Sequence, residues 1–290
     1  MDNKEYALVL EGGGAKCAYE AGAIIALEKY GYSFNVISGA SYGAFNGAMY
    51  ITGGIDHLLS FYQNINLNKM FIDPGLVDII EKHQTVQQSV LPEAIKYCFS
   101  SQIYMANREH IAAKYREKIT NNIDVNVIKN SPIDFYCSVL RINNNPITIG
   151  KLFKSFSNRN EIIELYKSHE IEGRIISKEM NPLDQFIVAS ANYPVHPPLE
   201  INGEYFLDGG IYDNSPYRHL LYKGYKKIII VRTHTSEDRP LDIEADNKNI
   251  IIIEPKNYLG CTLSFTEENM QQLIKQGYKD AEEVLKKINE

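Results

Sequence analysis

The fold is indicated most clearly by Phe34-Asn35-Val36-Ile37-Ser38-Gly39-Ala40-Ser41-Tyr42-Gly43. Phe34 to Ser38 is a short apolar run that predicts a buried strand. Tyr42 to Tyr50 follows with the spacing of a helix, so the G-x-S-x-G pentapeptide forms the turn between them. Small residues beside a serine allow a sharp turn that exposes the hydroxyl at a helix N-terminus, where developing negative charge is favoured. Ser41 is therefore a candidate nucleophile, with a plain structural turn as the alternative.

The same order of elements occurs one step earlier in the chain. Tyr6 to Leu10 predicts a buried strand, Glu11-Gly12-Gly13-Gly14-Ala15-Lys16 a turn, and Ala15 to Tyr30 a helix. Strands that alternate with helices indicate an α/β fold with a parallel sheet beneath covering helices.

The glycine-rich turn excludes two nucleotide-binding motifs. A dinucleotide fingerprint fails because Cys17 takes the place of its last glycine, and a P-loop fails because no Gly-Lys-Ser/Thr is present. A structural turn is the remaining alternative to an oxyanion hole. The oxyanion hole is favoured, because the serine turn closes the next strand and acyl transfer needs backbone donors close to the forming oxyanion. Its predicted residues are Gly12, Gly13 and Gly14.

A serine nucleophile needs a base, and Leu207-Asp208-Gly209-Gly210 offers a carboxylate in a motif. The usual base is a histidine that an acid orients. None of the seven histidines stands in a comparable motif: His57, His83, His110, His169, His196, His219 and His234. Asp208 is therefore the predicted base. The common α/β-hydrolase arrangement is disfavoured, because there the serine turn follows several strands and here it closes only the second.

The rest of the pattern predicts further elements of the same type. We expect strands at 134–142, 227–233 and 249–254, helices at 183–191 and 267–288, and a mostly helical middle from 56 to 128. Residues 147–153 are expected to pair with the strand at 134–142 as a hairpin.

Composition is that of an ordinary globular protein of 290 residues, with 44% hydrophobic and 23% charged residues. The formal net charge of -6 supplies no global basic field for nucleic acid. The four cysteines form no CxxC pair and are expected to be thiols in a reducing compartment. With neither a signal peptide nor an apolar stretch of the roughly 18 residues that span a bilayer, a cytoplasmic protein is expected.

In this order, E-G-G-G-A-K at 11–16, G-A-S-Y-G at 39–43 and D-G-G at 208–210 resemble the motifs of the patatin-like phospholipase family, particularly those of bacterial patatin-like serine lipid acyl hydrolases. Residues 189–194 are similar to the family's A-S-x-x-x-P segment, and 213–216 to its D-N-x-P segment. The likeness extends over nearly the whole chain.

The resemblance implies a three-layer α/β/α fold with a mostly parallel central sheet and a Ser–Asp dyad without histidine. Carried over, Ser41 is the nucleophile, Asp208 the general base, and Gly12 to Gly14 the oxyanion region. Lys16 matches a basic residue near that region, with a solvated helix charge as the alternative. The positions that support the motifs are Lys16, Gly39, Gly43, Gly209 and Gly210. No metal or other cofactor is implied.

The expected activity is cleavage of carboxylic ester bonds of acyl lipids, of the phospholipase A or lysophospholipase type, through an acyl-enzyme. An acyltransferase that uses the same serine and a non-catalytic lipid-binding protein are the alternatives. Residues 6–222 are expected to form the patatin-like core and 223–290 to complete the same domain. Expected partners are an acyl lipid and, transiently, a membrane surface, but no nucleic acid. Head group, chain length and oligomeric state are left open.

Two positions depart from the family pattern. Cys17 stands where a glycine is common, which puts the fit of the glycine turn in question. His196 stands where an aromatic residue such as Phe is common, which puts the shape of the acyl pocket in question.

Overall fold

A computed structural model of the chain describes residues 4–65, 74–85, 91–143, 151–152, 159–192, 196–241 and 249–289. One mixed sheet forms its centre. The strands are β1 (Glu5–Leu10), β2 (Ser33–Gly39), β3 (Asp134–Ile142), β4 (Ile171–Ser177), β5 (Leu199–Ile201), β6 (Glu204–Asp208), β7 (Ile228–Val231) and β8 (Ile250–Ile253). The pairs β1–β2, β1–β7, β2–β3 and β7–β8 are parallel, whereas β4, β5 and β6 pair antiparallel.

The helices of the described residues lie on both faces of this sheet. They are α1 (Ala18–Lys29), α2 (Tyr42–Gln63), α3 (Pro74–His83), α4 (Leu91–Ser100), α5 (Gln102–Thr120), α6 (Val125–Asn130), α7 (Arg159–Lys167), α8 (Leu183–Ser190), α9 (Arg218–Tyr222) and α10 (Glu267–Asn289). Short 3-10 helices occupy Gly14–Cys17 and Gly209–Ile211.

Alternate residues of the strands supply the two faces of the core. Leu8 and Leu10 of β1 pack in the large core beneath α1 and α2. Ala7 and Val9 face the other way, into a smaller core that includes Leu220 of α9. The three-layer α/β/α architecture with a mostly parallel sheet, predicted from the motifs, is confirmed.

The C-terminal segment packs closely on the first half of the chain. β7 lies between β1 and β8 in the sheet. α10 lies against α1 at two glycines: a Cβ at Gly22 would come 1.9 Å from the carbonyl oxygen of Ile274, and one at Gly277 equally close to that of Tyr19. The backbones of α1 and α10 therefore pack directly against each other, and side chains at these two positions would prevent this packing.

Two strands meet end to end along one edge of β3. The other edge of β3 pairs with β4, which is antiparallel to it over Tyr136 to Ile142 of β3. β2 ends with Gly39 opposite Cys137, and the antiparallel β6 ends with Asp208 opposite Val139. The carboxyl ends of β2 and β6 therefore face each other across a gap of about 7 Å along β3.

Some elements differ from the sequence-based expectation. The strand at 134–142 has the predicted bounds, and its antiparallel partners are β4 and β6. Most of the expected hairpin strand at 147–153 lies outside the described residues. α2 runs well past Tyr50 to Gln63, with non-helical backbone at Gly53 and Gly54. The helix expected from Ala15 begins as a 3-10 turn and becomes α-helical at Ala18.

Candidate active site

Ser41 lies in the turn between β2 and α2, with backbone angles φ 53° and ψ -131°. Positive φ is strained for a residue with a side chain, and such strain is typical of a nucleophile held on a sharp turn. The flanking glycines are needed for close packing: a Cβ at Gly39 would lie 2.5 Å from the backbone nitrogen of Ala44, and one at Gly43 would lie 2.4 Å from the carbonyl oxygen of Leu10. The sequence around Ser41 therefore permits a turn that larger residues would block.

Asp208 is the immediate partner of Ser41. The Ser41 hydroxyl donates to Asp208 Oδ2 at 2.7 Å, and the backbone N–H of Gly210 donates to Oδ1 at 2.8 Å. Both carboxylate oxygens are thereby oriented. The two residues, 167 positions apart in sequence, meet because β2 and β6 end on the same edge of β3.

Burial changes the acidity of this carboxyl group. Asp208 is 5% exposed, and desolvation raises its pKa from 3.8 to about 7, against the lowering effect of its hydrogen bonds to Ser41 and Gly210. A carboxylate with a raised pKa is a stronger base than an ordinary one. Asp208 can therefore exchange a proton with the Ser41 hydroxyl near neutral pH.

None of the seven histidines, all of which lie in the described ranges, hydrogen-bonds to Ser41 or Asp208. A different serine does contact an imidazole: Ser38 Oγ lies 2.8 Å from His219 Nε2. Ser38 is fully buried and its hydroxyl donates to the carbonyl of Pro216, so this contact is part of the interior.

The glycine loop, residues Gly12 to Gly14, is held against the serine turn by Asn214. The N–H of Gly12 donates to the Asn214 carbonyl at 3.0 Å, and Asn214 Nδ2 donates back to the Gly12 carbonyl at 2.9 Å. A Cβ at Gly12 would lie 2.8 Å from Ser41 Cβ, so the loop lies directly against Ser41.

Only part of the glycine loop can donate to a ligand. Gly12 has no free backbone donor, because its N–H donates to the backbone carbonyl of Asn214. Of the three glycines predicted to form an oxyanion hole, Gly13 and Gly14 remain as donors. In the described ranges, the N–H groups of Gly13 and Gly14 have no acceptor. Two backbone donors beside a serine are what an oxyanion hole requires.

Lys16 belongs to a buried cluster on the β7 side of the glycine loop. Its Nζ lies 2.9 Å from His234 Nε2, and His234 Nδ1 lies 3.3 Å from Glu11 Oε2. The Glu11 carboxylate also accepts the backbone N–H of Thr233 at 2.8 Å, and Arg232 lies 3.7 Å away. Lys16 is 4% exposed, so the expected alternative of a solvated helix charge is wrong.

These contacts set the charges of the cluster. Desolvation lowers the pKa of Lys16 to about 8 despite the nearby Glu11 carboxylate. The Glu11 pKa falls to about 2, because His234, Arg232 and Thr233 together outweigh its burial. An ionised carboxylate is thus fixed directly before the glycine loop.

Ser190 and Asn214 support the candidate site, and neither was identified individually from the sequence. Ser190, at the end of α8, accepts the backbone N–H of Ser41 on its Oγ at 3.1 Å. Asn214 holds the glycine loop as described above. Both stand inside motifs that the sequence analysis noted, but their roles depend on contacts across the fold that a local pattern does not contain.

Cys17 and His196, the two residues that depart from the family pattern, have different surroundings. Cys17 is buried, and its Sγ donates to the Glu11 carbonyl at 3.4 Å, so the thiol fits within the glycine turn. His196 is also buried and lies against the ring of Tyr115, at a centroid distance of 4.8 Å.

The described residues contain no group of three histidine, cysteine or acidic residues placed to hold a metal ion. Nor does any helix among them combine the length and apolar character needed to cross a membrane.

The fold and the site together define a class, that of α/β proteins with a serine on a strand–helix turn beside a buried aspartate. The patatin-like phospholipase family matches residues 8–221, more than half of the chain. The chain belongs to this family.

Relatives agree with this assignment. Lysophospholipase NTE1 of Meyerozyma guilliermondii is 25% identical over 240 residues, which are 82% of this chain and 13% of that protein. Lysophospholipase NTE1 of Debaryomyces hansenii is 24% identical over 243 residues, 82% of this chain and 12% of that protein. The chain thus matches a small part of these long relatives.

Among solved structures, VipD from Legionella pneumophila aligns with a TM-score of 0.52 and 16% identity, over 99% of this chain and 67% of that one. This likeness concerns the fold.

Proposed function

We propose that this protein is a serine lipid acyl hydrolase of the phospholipase A or lysophospholipase type, with Ser41 and Asp208 as a catalytic dyad. The observation that carries the proposal is the 2.7 Å hydrogen bond from the Ser41 hydroxyl to a buried Asp208. Its support from relatives is that two matched proteins are lysophospholipases.

In the acylation half-reaction, Ser41 Oγ attacks the carbonyl carbon of the ester while its proton passes to Asp208 Oδ2. The carbonyl double-bond electrons move to the oxygen. When the tetrahedral intermediate collapses, the ester C–O bond breaks and the leaving alcohol takes the proton from Asp208. The acyl group then remains on Ser41.

In deacylation, water attacks the acyl carbon and gives its proton to Asp208. Ser41 leaves and recovers that proton, which releases the fatty acid. Burial favours this shuttle, because a neutral carboxylic acid is more stable than a carboxylate in a dry site.

The N–H groups of Gly13 and Gly14 are the proposed donors to the oxyanion of both intermediates. Gly12 has a positioning role, since its own N–H and carbonyl are bonded to Asn214. Donors fixed in advance stabilise the transition state without reorganisation, and losing one typically reduces kcat by about 10²–10³-fold.

The remaining expectations are part of the same proposal. Residues 6–222 and 223–290 form one domain, supported by β7 within the sheet and by α10 against α1. A reducing, cytoplasmic location is supported by four buried cysteines that are free thiols. The substrate is an acyl lipid, presented at a membrane surface.

The test uses a fluorophosphonate probe, hydrolysis of a p-nitrophenyl ester and hydrolysis of a lysophospholipid. Wild type should be labelled on Ser41, and Ser41→Ala and Asp208→Asn should both lose hydrolysis. Their double variant should be no worse, because groups that act as a unit are non-additive.

Ser38→Ala is the matched control, since it removes a buried serine that contacts a histidine, three residues from Ser41. It should keep both labelling and turnover. Folded wild type that takes no label, or a Ser41→Ala variant with wild-type turnover, would overturn the proposal. Acyl transfer to an added alcohol in preference to water would identify an acyltransferase instead.

A further inference from the structure

A second polar cluster lies where α8 ends, apart from the dyad. Asn192 Nδ2 donates to the carbonyl of Pro197 at 2.8 Å, and Arg116 Nη2 donates to the same oxygen at 2.7 Å. His196 precedes that proline in sequence. The amide, the guanidinium and the imidazole are therefore gathered around one peptide group.

This cluster contains buried polar atoms without partners. In the part of the chain that the structure describes, no hydrogen bond reaches Asn192 Oδ1, Arg116 Nε or either ring nitrogen of His196. Asn192 is 0% and His196 is 1% exposed. Buried polar groups in folded proteins are nearly always hydrogen-bonded, so these atoms indicate a bound polar group.

The cluster is connected to the candidate active site. Ser190, two residues before Asn192, accepts the N–H of Ser41. Tyr115 donates its hydroxyl to the carbonyl of Ala191, and its ring lies between His196 at 4.8 Å and Tyr42 at 6.4 Å. The polar cluster thus packs against the aromatic side chains beside the serine turn.

The local charge is positive. Burial, and after it the charges of Arg116 and Arg108, lowers the pKa of His196 to about 3, so the imidazole is neutral. The carboxylate of Glu109 acts on Arg116 electrostatically, but within the described ranges no carboxylate forms an ion pair with its guanidinium. An anion can therefore bind there without displacing an ion pair.

The unpartnered atoms also define what the ligand must carry. Arg116 Nε and one nitrogen of a neutral imidazole are donors, whereas Asn192 Oδ1 and the other imidazole nitrogen are acceptors. An anion alone satisfies the donors, and a hydroxyl group is needed for the acceptors. Phosphate oxygens beside a free hydroxyl supply both.

We infer that Arg116, Asn192 and His196 form a head-group subsite for an acyl lipid whose glycerol carries both a phosphate and a free hydroxyl, as a lysophospholipid does. The inference rests on the proposed function, because it places the ester of that lipid at Ser41. Discrimination between lysophospholipids and neutral monoacyl lipids then comes from this cluster.

The test compares kcat/KM for a lysophosphatidylcholine and for a monoacylglycerol of the same acyl chain. Arg116→Gln should lower kcat/KM for the lysophospholipid by about tenfold or more, as expected for loss of a charged hydrogen bond. The value for the monoacylglycerol should change less than about twofold. Arg116→Lys, which keeps a cation, should fall between wild type and Arg116→Gln.

His196→Phe tests the subsite without removing the ring against Tyr115. It should reduce the preference for the lysophospholipid in the same direction while the p-nitrophenyl ester is still cleaved. Lys114→Gln is the matched control, because it removes an exposed cation from the same helix. Thermal melting of each variant checks folding.

Equal losses on both lipids in folded Arg116→Gln, or no loss on either, would overturn the subsite. Binding of free sn-glycerol 3-phosphate that depends on Arg116 without any change in lipid preference would also overturn it, because the site would then serve a soluble phosphate. Failure of the proposed function is distinct: wild type would cleave neither lipid, or Ser41→Ala would still cleave both.

Discussion

Lys16 Nζ and His234 Nε2 lie 2.9 Å apart although 218 residues separate them in sequence. The other ring nitrogen of His234 faces the Glu11 carboxylate, so the imidazole joins a cation to an anion. Lys16, the basic residue of the glycine motif, is therefore buried on the side of the glycine loop that faces β7.

The burial of Lys16 predicts a pH-dependent contribution to stability. Its pKa is about 8 in the folded protein and ordinarily 10.5, so between these values the unfolded chain binds the extra proton. The free energy of unfolding therefore gains from Lys16 as pH rises through this window, by up to about 3 kcal/mol. Denaturant unfolding of wild type and Lys16→Met at pH 7.5 and 10 measures the effect.

The free energy of unfolding of wild type minus that of Lys16→Met should increase by about 2–3 kcal/mol from pH 7.5 to pH 10. Groups that titrate there and lie away from Lys16 cancel in the difference. Lys114→Met, at an exposed position, should show no such trend. A Lys16→Met difference independent of pH contradicts the prediction.

Asp208 predicts the opposite trend at acidic pH. The folded carboxyl holds its proton up to about pH 7, whereas the ordinary pKa is 3.8, so the folded state binds more protons between these values. Asp208 therefore lowers the free energy of unfolding progressively as pH rises through the window.

Asp208→Asn should consequently gain stability relative to wild type, by about 2–4 kcal/mol between pH 4.5 and pH 8. Chemical denaturation at both pH values is the measurement, with Asp56→Asn as an exposed control. An Asp208→Asn variant whose advantage stays constant would show that the carboxyl is not desolvated in solution.

The pH dependence of activity should follow the same group. In its proposed role as the base, Asp208 must be ionised in the free enzyme, so kcat/KM should fall about tenfold per pH unit below about pH 7. Rates on a soluble p-nitrophenyl ester between pH 4.5 and 8.5 give the profile. An acid limb near pH 4 would mean that the carboxyl has its ordinary pKa.

Because a histidine would give a similar acid limb, substitution of the imidazoles decides between a dyad and a triad. We expect each single His→Gln variant to keep at least about a tenth of the activity on a soluble ester. His234→Gln is the most demanding case, because His234 contacts both Lys16 and Glu11. Glutamine keeps an acceptor for Lys16. One folded variant as inactive as Ser41→Ala would replace the dyad with a triad.

Gly13→Ala should lower kcat by about 10²-fold or more through loss of an oxyanion donor. An added Cβ would lie 2.5 Å from Thr233 Oγ1, so the loop has to shift. Gly224→Ala controls for the added methyl group, because no atom lies within 4 Å of its Cβ, although its φ of 90° is itself unfavourable for alanine. At Gly13 φ is -176°, so there the contact with Thr233, and not backbone strain, moves the loop. Unchanged kcat in folded Gly13→Ala would indicate a structural turn.

The sequence predicted those elements whose local pattern is unambiguous. The strand at 134–142 and the turn at Ser41 follow from mainly apolar runs and, at Ser41, from flanking glycines. β4 was not predicted, because Gly173 and Arg174 break the apolar pattern of Ile171 to Ser177. The structure explains the glycine: a Cβ there would lie 1.9 Å from the ring of Tyr212.

The candidate site was predictable as a set of motifs but not as a geometry. Ser41 and Asp208 each stand in a recognisable pattern, and the hydrogen bond between them is a property of strand register. The burial of Lys16 could not be predicted either, since it depends on His234 and on the packing of β7. Local patterns carry no information about such long-range contacts.

The end-to-end meeting of β2 and β6 makes β3 a spacer whose length matters independently of any motif. Insertion of two residues between Cys137 and Val139 would preserve the alternation of faces but separate the ends of the two strands by a further ~6.6–6.8 Å. The serine, the aspartate and every glycine around them would be unchanged, yet the proton could no longer pass directly. Homologues that retain all three motifs can thus lose catalysis through an insertion in a strand that contains none of them.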